Sequence, residues 1–216
     1  AWGSLARKLA HEIKNPLTPI QLTLDRLKNK YSNQLKDNES NNFKDNLKII
    51  NNQIKQIGNL VNEFSDFARM PKPIFNQNNI IEIVKNNITL LKEIDKTIKI
   101  NTNYSSENLQ IKCDGEQISR VFFNLIKNSI ESIQQKSEKN PNFKKKISIE
   151  ILDNNHHIKC ILIDNGIGFN QNNNIKEILN PYITTKKNGT GLGLAIVNKI
   201  INDHKGELEF FSTPEG

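Results

Sequence analysis

The feature that most limits how this chain can fold is a heptad pattern of apolar residues in its first third. Along two stretches, apolar residues recur in alternating steps of four and three, the spacing that lines one face of an α-helix. The first stretch consists of Ala6, Ala10, Ile13, Leu17, Ile20, Leu24, Leu27 and Tyr31. The second consists of Phe43, Leu47, Ile50, Ile54, Ile57, Val61, Phe64 and Ala68. The pattern predicts two long amphipathic helices joined by the polar segment 32–42.

Two such helices in succession predict an antiparallel hairpin. A lone hairpin leaves the far side of its apolar seam in water, and pairing two hairpins into a four-helix bundle covers it, so we expect a homodimer. The second helix should end at Met70-Pro71, because proline lacks a backbone donor and restrains the residue before it. The sequence therefore predicts a dimerisation domain at residues 1–70 and a second domain at 71–216.

The pattern after residue 71 is one of helices and strands that do not strictly alternate. Helices are predicted at 80–94, 117–135 and 190–203, and strands at 98–103, 109–113, 146–152, 157–163 and 207–211. This order favours an α+β sandwich, with helices on one face of a mixed sheet, over a Rossmann fold. The segment 213–216 would normally lead into another strand, so we expect this domain to lack its last strand.

Composition narrows the classes of function. No run of the 216-residue chain approaches the roughly 18 to 20 apolar residues that span a bilayer, so we expect no membrane contact within it. The two cysteines, Cys113 and Cys160, are too few for a disulfide framework, and they lack the spacing and the histidine partners of a zinc site. This usage indicates a reducing, cytoplasmic setting.

The formal net charge of +7 suits a nucleic acid, an acidic protein partner or a polyphosphate ligand. The densest basic run is Lys144-Lys145-Lys146, and no aromatic residues interleave with it as a base-stacking surface requires. We expect these lysines to lie on a solvated strand edge, and we expect no nucleic-acid partner.

A first candidate for chemistry is His11, which falls outside the heptad seam at a position that faces solvent. Neutral imidazole is a nucleophile near neutral pH. Glu12 could accept the proton that leaves one ring nitrogen while the other nitrogen attacks phosphorus. Asn15, one turn later on the same face, could position a water or an incoming group. Taken alone, this segment is more typical of an ordinary surface histidine.

Two later segments have the composition of a nucleotide site. Asn124 and Asn128 stand four apart on a predicted helix, a spacing that lets both amide oxygens reach one Mg²⁺ or its waters. Asp164 follows an apolar strand and could accept a hydrogen bond from an exocyclic amine such as that of adenine. Gly166 and Gly168 would let the backbone approach the ring. A chance asparagine pair and a plain tight turn are the alternatives.

A third segment, 189–193, opens the last predicted helix with three glycines. Its amide donors, helped by the helix N-terminus, could hold phosphate oxygens. Lys186 and Lys187, just before it, could neutralise a phosphate tail, although both could equally be solvated. The polar segment 170–188 has the composition of a lid that closes over a nucleotide.

In this order the motifs closely resemble those of the catalytic core of bacterial sensor histidine kinases, over essentially all 216 residues. Residues 11–17 resemble the H box, 124–128 the N box, 164–168 the G1 box, 181–186 an F box and 189–193 the G2 box. Residues 9–21, with two prolines, and the ending 66–71 resemble nitrogen-regulation sensor kinases of the NtrY type.

The resemblance implies a fold and the roles of three residues. It implies an N-terminal helical hairpin that forms a dimeric four-helix bundle, followed by a Bergerat-type α/β sandwich that binds ATP. His11 would be the phosphoacceptor, Glu12 would assist the kinase step, and Asn15 would support dephosphorylation of the partner.

The resemblance also implies the nucleotide contacts. Asn128 would bind Mg²⁺ with Asn124 nearby, and Asp164 would read adenine. Further cofactor contacts would come from Gly166, Gly168, Lys186, Gly189, Thr190, Gly191, Leu192 and Gly193. Glu131 departs from the pattern, since many relatives carry a basic residue there near the phosphates.

The implied activity is that of an ATP-dependent protein histidine kinase that autophosphorylates His11 and passes the phosphoryl group to an aspartate in the receiver domain of a response regulator. The full-length protein would be anchored in the inner membrane. An ATPase of the wider Bergerat group is disfavoured, because those enzymes activate water with a glutamate where this chain has Asn124. A dimeric scaffold that binds ATP and signals by shape, or a core that acts mostly as a response-regulator phosphatase, stays open.

Overall fold

The computed structural model describes residues 2–31, 37–140, 142–168, 178–181 and 189–212. These residues fall into two compact units. The first contains 2–31, 37–71 and 189–192, and the second contains 72–140, 142–168, 178–181 and 193–212.

Two long helices, α1 (Trp2–Tyr31) and α2 (Asp37–Ala68), confirm the predicted helical hairpin. At the C-terminal end of α1, the rings of Tyr31 and Phe43 meet edge to face with their centroids 6.4 Å apart. Further along the pair, the Gln21 Nε2 amide donates a hydrogen bond to Asn51 Oδ1 at 3.5 Å. These two contacts establish an antiparallel register.

Only one half of the heptad pattern is covered within the hairpin. The residues at one heptad position are buried or half-buried: Ala10, Leu17, Leu24, Leu47, Ile54 and Val61. At the other position, Ala6 is buried and Phe43 and Phe64 are half-buried, but five residues are exposed by 37 to 45%: Ile13, Ile20, Leu27, Ile50 and Ile57. An apolar row in water is what the sequence predicts for the far side of the seam.

The described part of the second unit contains five strands: β1 (Asn76–Asn79), β2 (Lys99–Tyr104), β3 (Gln110–Cys113), β4 (Lys146–Asp153) and β5 (Ile158–Asp164). A mixed sheet is formed by β2, β4 and β5, in which the central β4 is parallel to β2 and antiparallel to β5. An antiparallel pair of β1 and β3 lies apart from it.

The helices of the second unit are α3 (Ile80–Lys92), α4 (Gly115–Lys139) and α5 (Gly193–Asp203). The helix α4 contacts α3, α5 and β5. Alternate residues of β4 and one stripe of α4 supply fully buried side chains: Ile147, Ile149, Ile151, Ile126, Ile130 and Ile133. The predicted α+β fold with a mixed sheet is therefore confirmed.

The N-terminus of α4 is held by Asp114, which caps the helix. The Gln117 amide donates to Asp114 Oδ1 at 3.0 Å, and the Ile74 amide donates to Asp114 Oδ2 at 2.8 Å. The Asp114 amide itself donates to His204 Nε2 at 3.0 Å, just beyond the end of α5. Burial alone would raise the pKa of Asp114, but hydrogen bonds from backbone amides, led by that of Ile74, outweigh it and lower the pKa.

One strand prediction is wrong, and one strand was missed. The segment 207–211 is not a strand, although Leu208 and Phe210 are half-buried between exposed glutamates. This alternation produced the prediction, but a strand also needs a paired neighbour, and no strand in the described part of the chain pairs with it. Conversely, β1 was not predicted, because asparagine and glutamine are poor strand formers and its pairing with β3 is decided by tertiary structure.

The last helix begins three residues later than predicted, at Gly193 instead of Thr190. Gly191 has φ 70°, in the left-handed region, which a right-handed helix cannot contain. The Leu192 amide donates to Thr190 Oγ1 at 3.3 Å within this turn. Most of the predicted lid, 170–188, lies outside the described residues.

The predicted solvated edge at Lys144-Lys145-Lys146 is only partly right. Lys144 and Lys146 are exposed as expected, but the run leads into the central strand β4 and Lys145 is half-buried. Lys145 Nζ lies 2.7 Å from Asp95 Oδ2, and the two side chains are only 22% and 10% exposed. Burial alone would raise the pKa of Asp95, but hydrogen bonds from Lys145 and Thr97 outweigh it and lower the pKa to about 2.

We expect Asp95→Asn to lower the free energy of unfolding by about 2 kcal/mol at pH 7, because an aspartate with a depressed pKa stabilises the folded state while ionised. This contribution is fully present above about pH 4 and is lost as the pH falls towards 2, so the difference between variant and parent should shrink by about half by pH 3. Urea unfolding at several pH values measures it.

The matched control is Glu93→Gln, in the same connection. Glu93 pairs with Lys96 at 2.9 Å, but both side chains are 71% exposed, so little change is expected. A loss for Asp95→Asn that does not vary with pH, or that Glu93→Gln equals, would contradict this assignment.

Candidate functional site

His11 lies on the exposed face of α1, as its heptad position predicts. Glu12 and Asn15 are exposed on the same helix, while Ala10 is turned into the hairpin and is 4% exposed. An exposed imidazole beside a carboxylate can act as a nucleophile that loses its proton to that carboxylate.

The asparagine pair on α4 faces the N-terminus of α5. Asn124 Nδ2 donates to the Arg120 carbonyl at 3.0 Å, which fixes the orientation of the amide. Asn124 Oδ1 lies 3.5 Å, and Asn128 Nδ2 4.0 Å, from the position that a Cβ atom on Gly193 would occupy. Residues predicted from two separate motifs are therefore neighbours within the second unit.

Asp164 ends β5 and is held from two sides. Ser129 on α4 donates to Asp164 Oδ2 at 2.8 Å, and the Gly166 amide donates to Asp164 Oδ1 at 2.9 Å. Each carboxylate oxygen has lone pairs left, so the group can accept a further hydrogen bond from a ligand.

The turn after Asp164, residues 164–167, is bound along the same face of α4. The Ile167 amide donates to Ser132 Oγ at 3.0 Å. Lys136 Nζ donates to the carbonyls of Asn165 and Gly166, at 2.9 and 2.8 Å. A Cβ atom on the buried Gly166 would lie only 2.1 Å from Ser132 Oγ, so glycine is required there by space.

Ser129, Ser132 and Lys136 were missed in the sequence analysis. Their spacing of three and four is the one signal that could have found them, because it places all three on one helical face beside Asn128. That signal shows a shared face and gives no indication of which distant segment the face contacts.

The glycine-rich segment contributes to both units. Gly193 begins α5, and Thr190 lies in the first unit, where its hydroxyl donates to the Glu63 carboxylate on α2. Leu192 is fully buried, and its backbone amide donates a hydrogen bond to Thr190 Oγ1. The side chain of this residue therefore contributes to packing. Gly189 is exposed, Gly168 has φ 69° after the 164–167 turn, and Lys186 lies outside the described residues.

The acidic departure at Glu131 has a basic neighbour on its own helix. Lys127 Nζ lies 4.0 Å from Glu131 Oε1, four residues before it. The two side chains are 45% and 36% exposed, so the pair is weak and Lys127 offsets only part of the added negative charge.

No helix in the described ranges is long and apolar enough to cross a membrane. Over the same residues, no group of three or more His, Cys, Asp or Glu side chains could hold a metal ion.

Two family models match the chain in succession. Residues 1–73 match the His Kinase A (phospho-acceptor) domain. Residues 113–216 match the histidine kinase-, DNA gyrase B-, and HSP90-like ATPase.

Known relatives match over the whole chain. The Nitrogen regulation protein NtrY of Azorhizobium caulinodans is 36% identical over 219 residues, which cover 100% of this chain and 28% of that protein. A putative sensor histidine kinase NtrY-like of Rickettsia felis is 37% identical over 215 residues, covering 100% and 34%. The chain therefore spans about a third of the length of these relatives.

Solved structures match as well. The histidine kinase ThkA in complex with the response regulator protein TrrA is 28% identical with a TM-score of 0.63, over 95% of this chain and 56% of that one. Full-length ShkA in complex with AMPPNP has a TM-score of 0.68 at 18% identity, over 94% and 41%, which shows a shared fold. With two kinase domains in this order and NtrY proteins similar throughout, the chain belongs to the sensor histidine kinases, as a catalytic core of the NtrY type.

Proposed function

We propose that this core transfers the γ-phosphoryl group of ATP to a ring nitrogen of His11 and then to an aspartate in the receiver domain of a response regulator. The observation that carries the proposal is the exposed imidazole of His11, next to the exposed Glu12 in the sequence, on a helix of a phospho-acceptor domain. The ATPase-type second unit would supply the phosphoryl donor.

In the first step, one His11 nitrogen forms a bond to the γ-phosphorus as the bond from phosphorus to the bridging oxygen breaks, and ADP leaves. The proton on the other ring nitrogen passes to Glu12. In the second step, an aspartate oxygen of the regulator takes the phosphoryl group, and the imidazole is regenerated. Phosphoryl transfer needs little beyond positioning and charge neutralisation, so both steps depend on bringing the groups together.

Asp164 would accept a hydrogen bond from the adenine amine, since both of its oxygens are already oriented by Ser129 and Gly166. Asn124 and Asn128 would hold Mg²⁺, because amide oxygens are ligands that this hard cation accepts and the two amides face one space beside Gly193. Bound Mg²⁺ would neutralise phosphate charge. An amide at Asn124 cannot act as a base, which favours transfer over hydrolysis.

The response-regulator partner is proposed by analogy with ThkA, whose solved complex contains a response regulator. Asn15 is exposed on the same helix as His11, where it could position the water that removes the phosphoryl group from the regulator. A phosphatase activity of the same core would use that residue.

We propose three further features of the whole protein. The exposed apolar row on the hairpin would be covered by a second copy, which makes the core a homodimer. The domain boundary would lie between Met70 and Pro71, close to the point where the first compact unit gives way to the second. This core would be cytoplasmic, in a full-length protein anchored in the inner membrane.

We expect His11→Gln to abolish acid-labile labelling by γ-labelled ATP, because glutamine offers no nucleophilic ring nitrogen. Affinity for ADP should change by no more than about twofold, as for other surface substitutions. His156→Gln, in an exposed turn, is the matched control and should label normally. Acid-labile label that persists in His11→Gln refutes the acceptor assignment.

We expect Asp164→Asn to lower ATP affinity by about 10- to 100-fold, the value of a charge-assisted hydrogen bond. The substituted amide has one oxygen in place of two, so it cannot serve Ser129, Gly166 and the base together. Asp153→Asn, at the exposed end of β4, is the control. Equal calorimetric affinities of the two variants would remove Asp164 from the site.

The substitution Gly166→Ala tests whether the tight packing of the 164–167 turn is needed for nucleotide binding. The new methyl group would lie 2.1 Å from Ser132 Oγ and 2.8 Å from Asp164 Oδ1, so the turn must shift and ATP affinity should fall at least about tenfold. Gly58→Ala on α2 is the control, because no heavy atom lies within 4 Å of its added Cβ. Normal ATP binding by Gly166→Ala would show that the turn does not contact the nucleotide.

A further inference from the structure

Lys136, on the last turns of α4, binds the main chain of the 164–167 turn. We propose that Lys136 is a positioning residue for base recognition, which orients the peptide groups that aim Asp164 at the base amine. The proposal deepens the function proposed above and rests on the assignment of Asp164 as the residue that reads adenine.

The first peptide group of the turn is bound at both ends. Its oxygen, on Asn165, accepts a hydrogen bond from Lys136 Nζ at 2.9 Å. Its N–H, on Gly166, donates to Asp164 Oδ1 at 2.9 Å. Because a peptide group is planar, fixing the oxygen fixes the direction of the N–H and hence the direction from which the carboxylate is held.

The second peptide group is bound in the same way. Its oxygen, on Gly166, accepts from Lys136 Nζ at 2.8 Å, and its N–H, on Ile167, donates to Ser132 Oγ at 3.0 Å. A single ammonium group therefore orients two successive peptide planes. Hydrogen bonds from a charged donor are about twice as strong as those between neutral groups, which suits this task.

The Lys136 side chain is itself held in place. Its Nζ atom lies 5.0 Å from the centre of the Phe143 ring, within the range of a cation–π contact. The side chain is half-buried between this ring and the turn. Lys136 thus behaves as a fixed part of the site and not as a mobile surface lysine.

The proposal predicts a selective effect on the base. Loss of the ammonium group would release both peptide planes and loosen the Asp164 carboxylate. Asn124 and Asn128, on the proposed cation and phosphate side of the site, lie at least two helical turns before Lys136 on α4, next to Gly193. Affinity for a nucleotide that carries the amine should fall, and affinity for one that lacks it should not.

The test compares ADP with inosine diphosphate, which carries a carbonyl oxygen where ADP carries the amine, by calorimetry on the whole chain. We expect Lys136→Met to lower ADP affinity about 5- to 10-fold and to change inosine diphosphate affinity by less than about twofold. Lys136→Arg, which keeps a charged donor, should retain most of the preference for ADP over inosine diphosphate. Lys139→Met, on the exposed end of the same helix, should match the parent.

Equal losses for both nucleotides in Lys136→Met would mean that Lys136 only supports the fold, and unchanged affinities would mean that the turn does not need it; either result overturns the proposal. Asp164→Asn separates this failure from failure of the proposed function. If Asp164→Asn narrows the preference for ADP over inosine diphosphate and Lys136→Met does not, only the Lys136 proposal fails. If Asp164→Asn leaves the preference intact, the assignment of Asp164 fails and the Lys136 proposal with it.

Discussion

Burial of α4 is the constraint on which the second unit depends. Ile126, Ile130 and Ile133 are at most 1% exposed, and they fix the rotation of the helix against its neighbours. Once this stripe is buried, helical geometry also fixes the directions in which Asn124 and Asn128 project, and that of the face that starts at Ser129. The cap at Asp114 holds the start of the helix, and Lys136 ties its far end to the 164–167 turn. The hydrophobic core therefore aims the polar groups of the candidate site.

Much of the fold could be predicted from the sequence, because its helices have strong and regular apolar spacing. Both helices of the hairpin, α3 and α4 follow from local periodicity, which burial of one face explains. The missed strand at 76–79 and the wrongly predicted strand at 207–211 show the limit of that reasoning. Whether an extended segment becomes a strand depends on a paired neighbour elsewhere in the chain, so β1 exists through β3 although its composition opposes it.

The candidate site was predictable to a similar depth. Asn124, Asn128, Asp164 and Gly193 belong to short motifs with a recognisable order, and the structure brings members of three motifs together within one unit. Ser129, Ser132 and Lys136 could not be assigned, because their partners, the Asp164 carboxylate and main-chain groups of the 164–167 turn, lie about 30 to 35 residues away. The local sequence does not distinguish a serine or lysine with such a partner from one that is simply exposed on the helix.

The central proposal is that an imidazole on a helical hairpin receives a phosphoryl group from ATP bound to a separate unit. Mass spectrometry of the chain after incubation with Mg-ATP, with digestion kept away from acid, locates the phosphoryl group on the sequence. The account predicts that it lies on the peptide containing His11 and on that histidine. A phosphoryl group on any other side chain, or an unmodified chain that nonetheless turns over ATP, would contradict it.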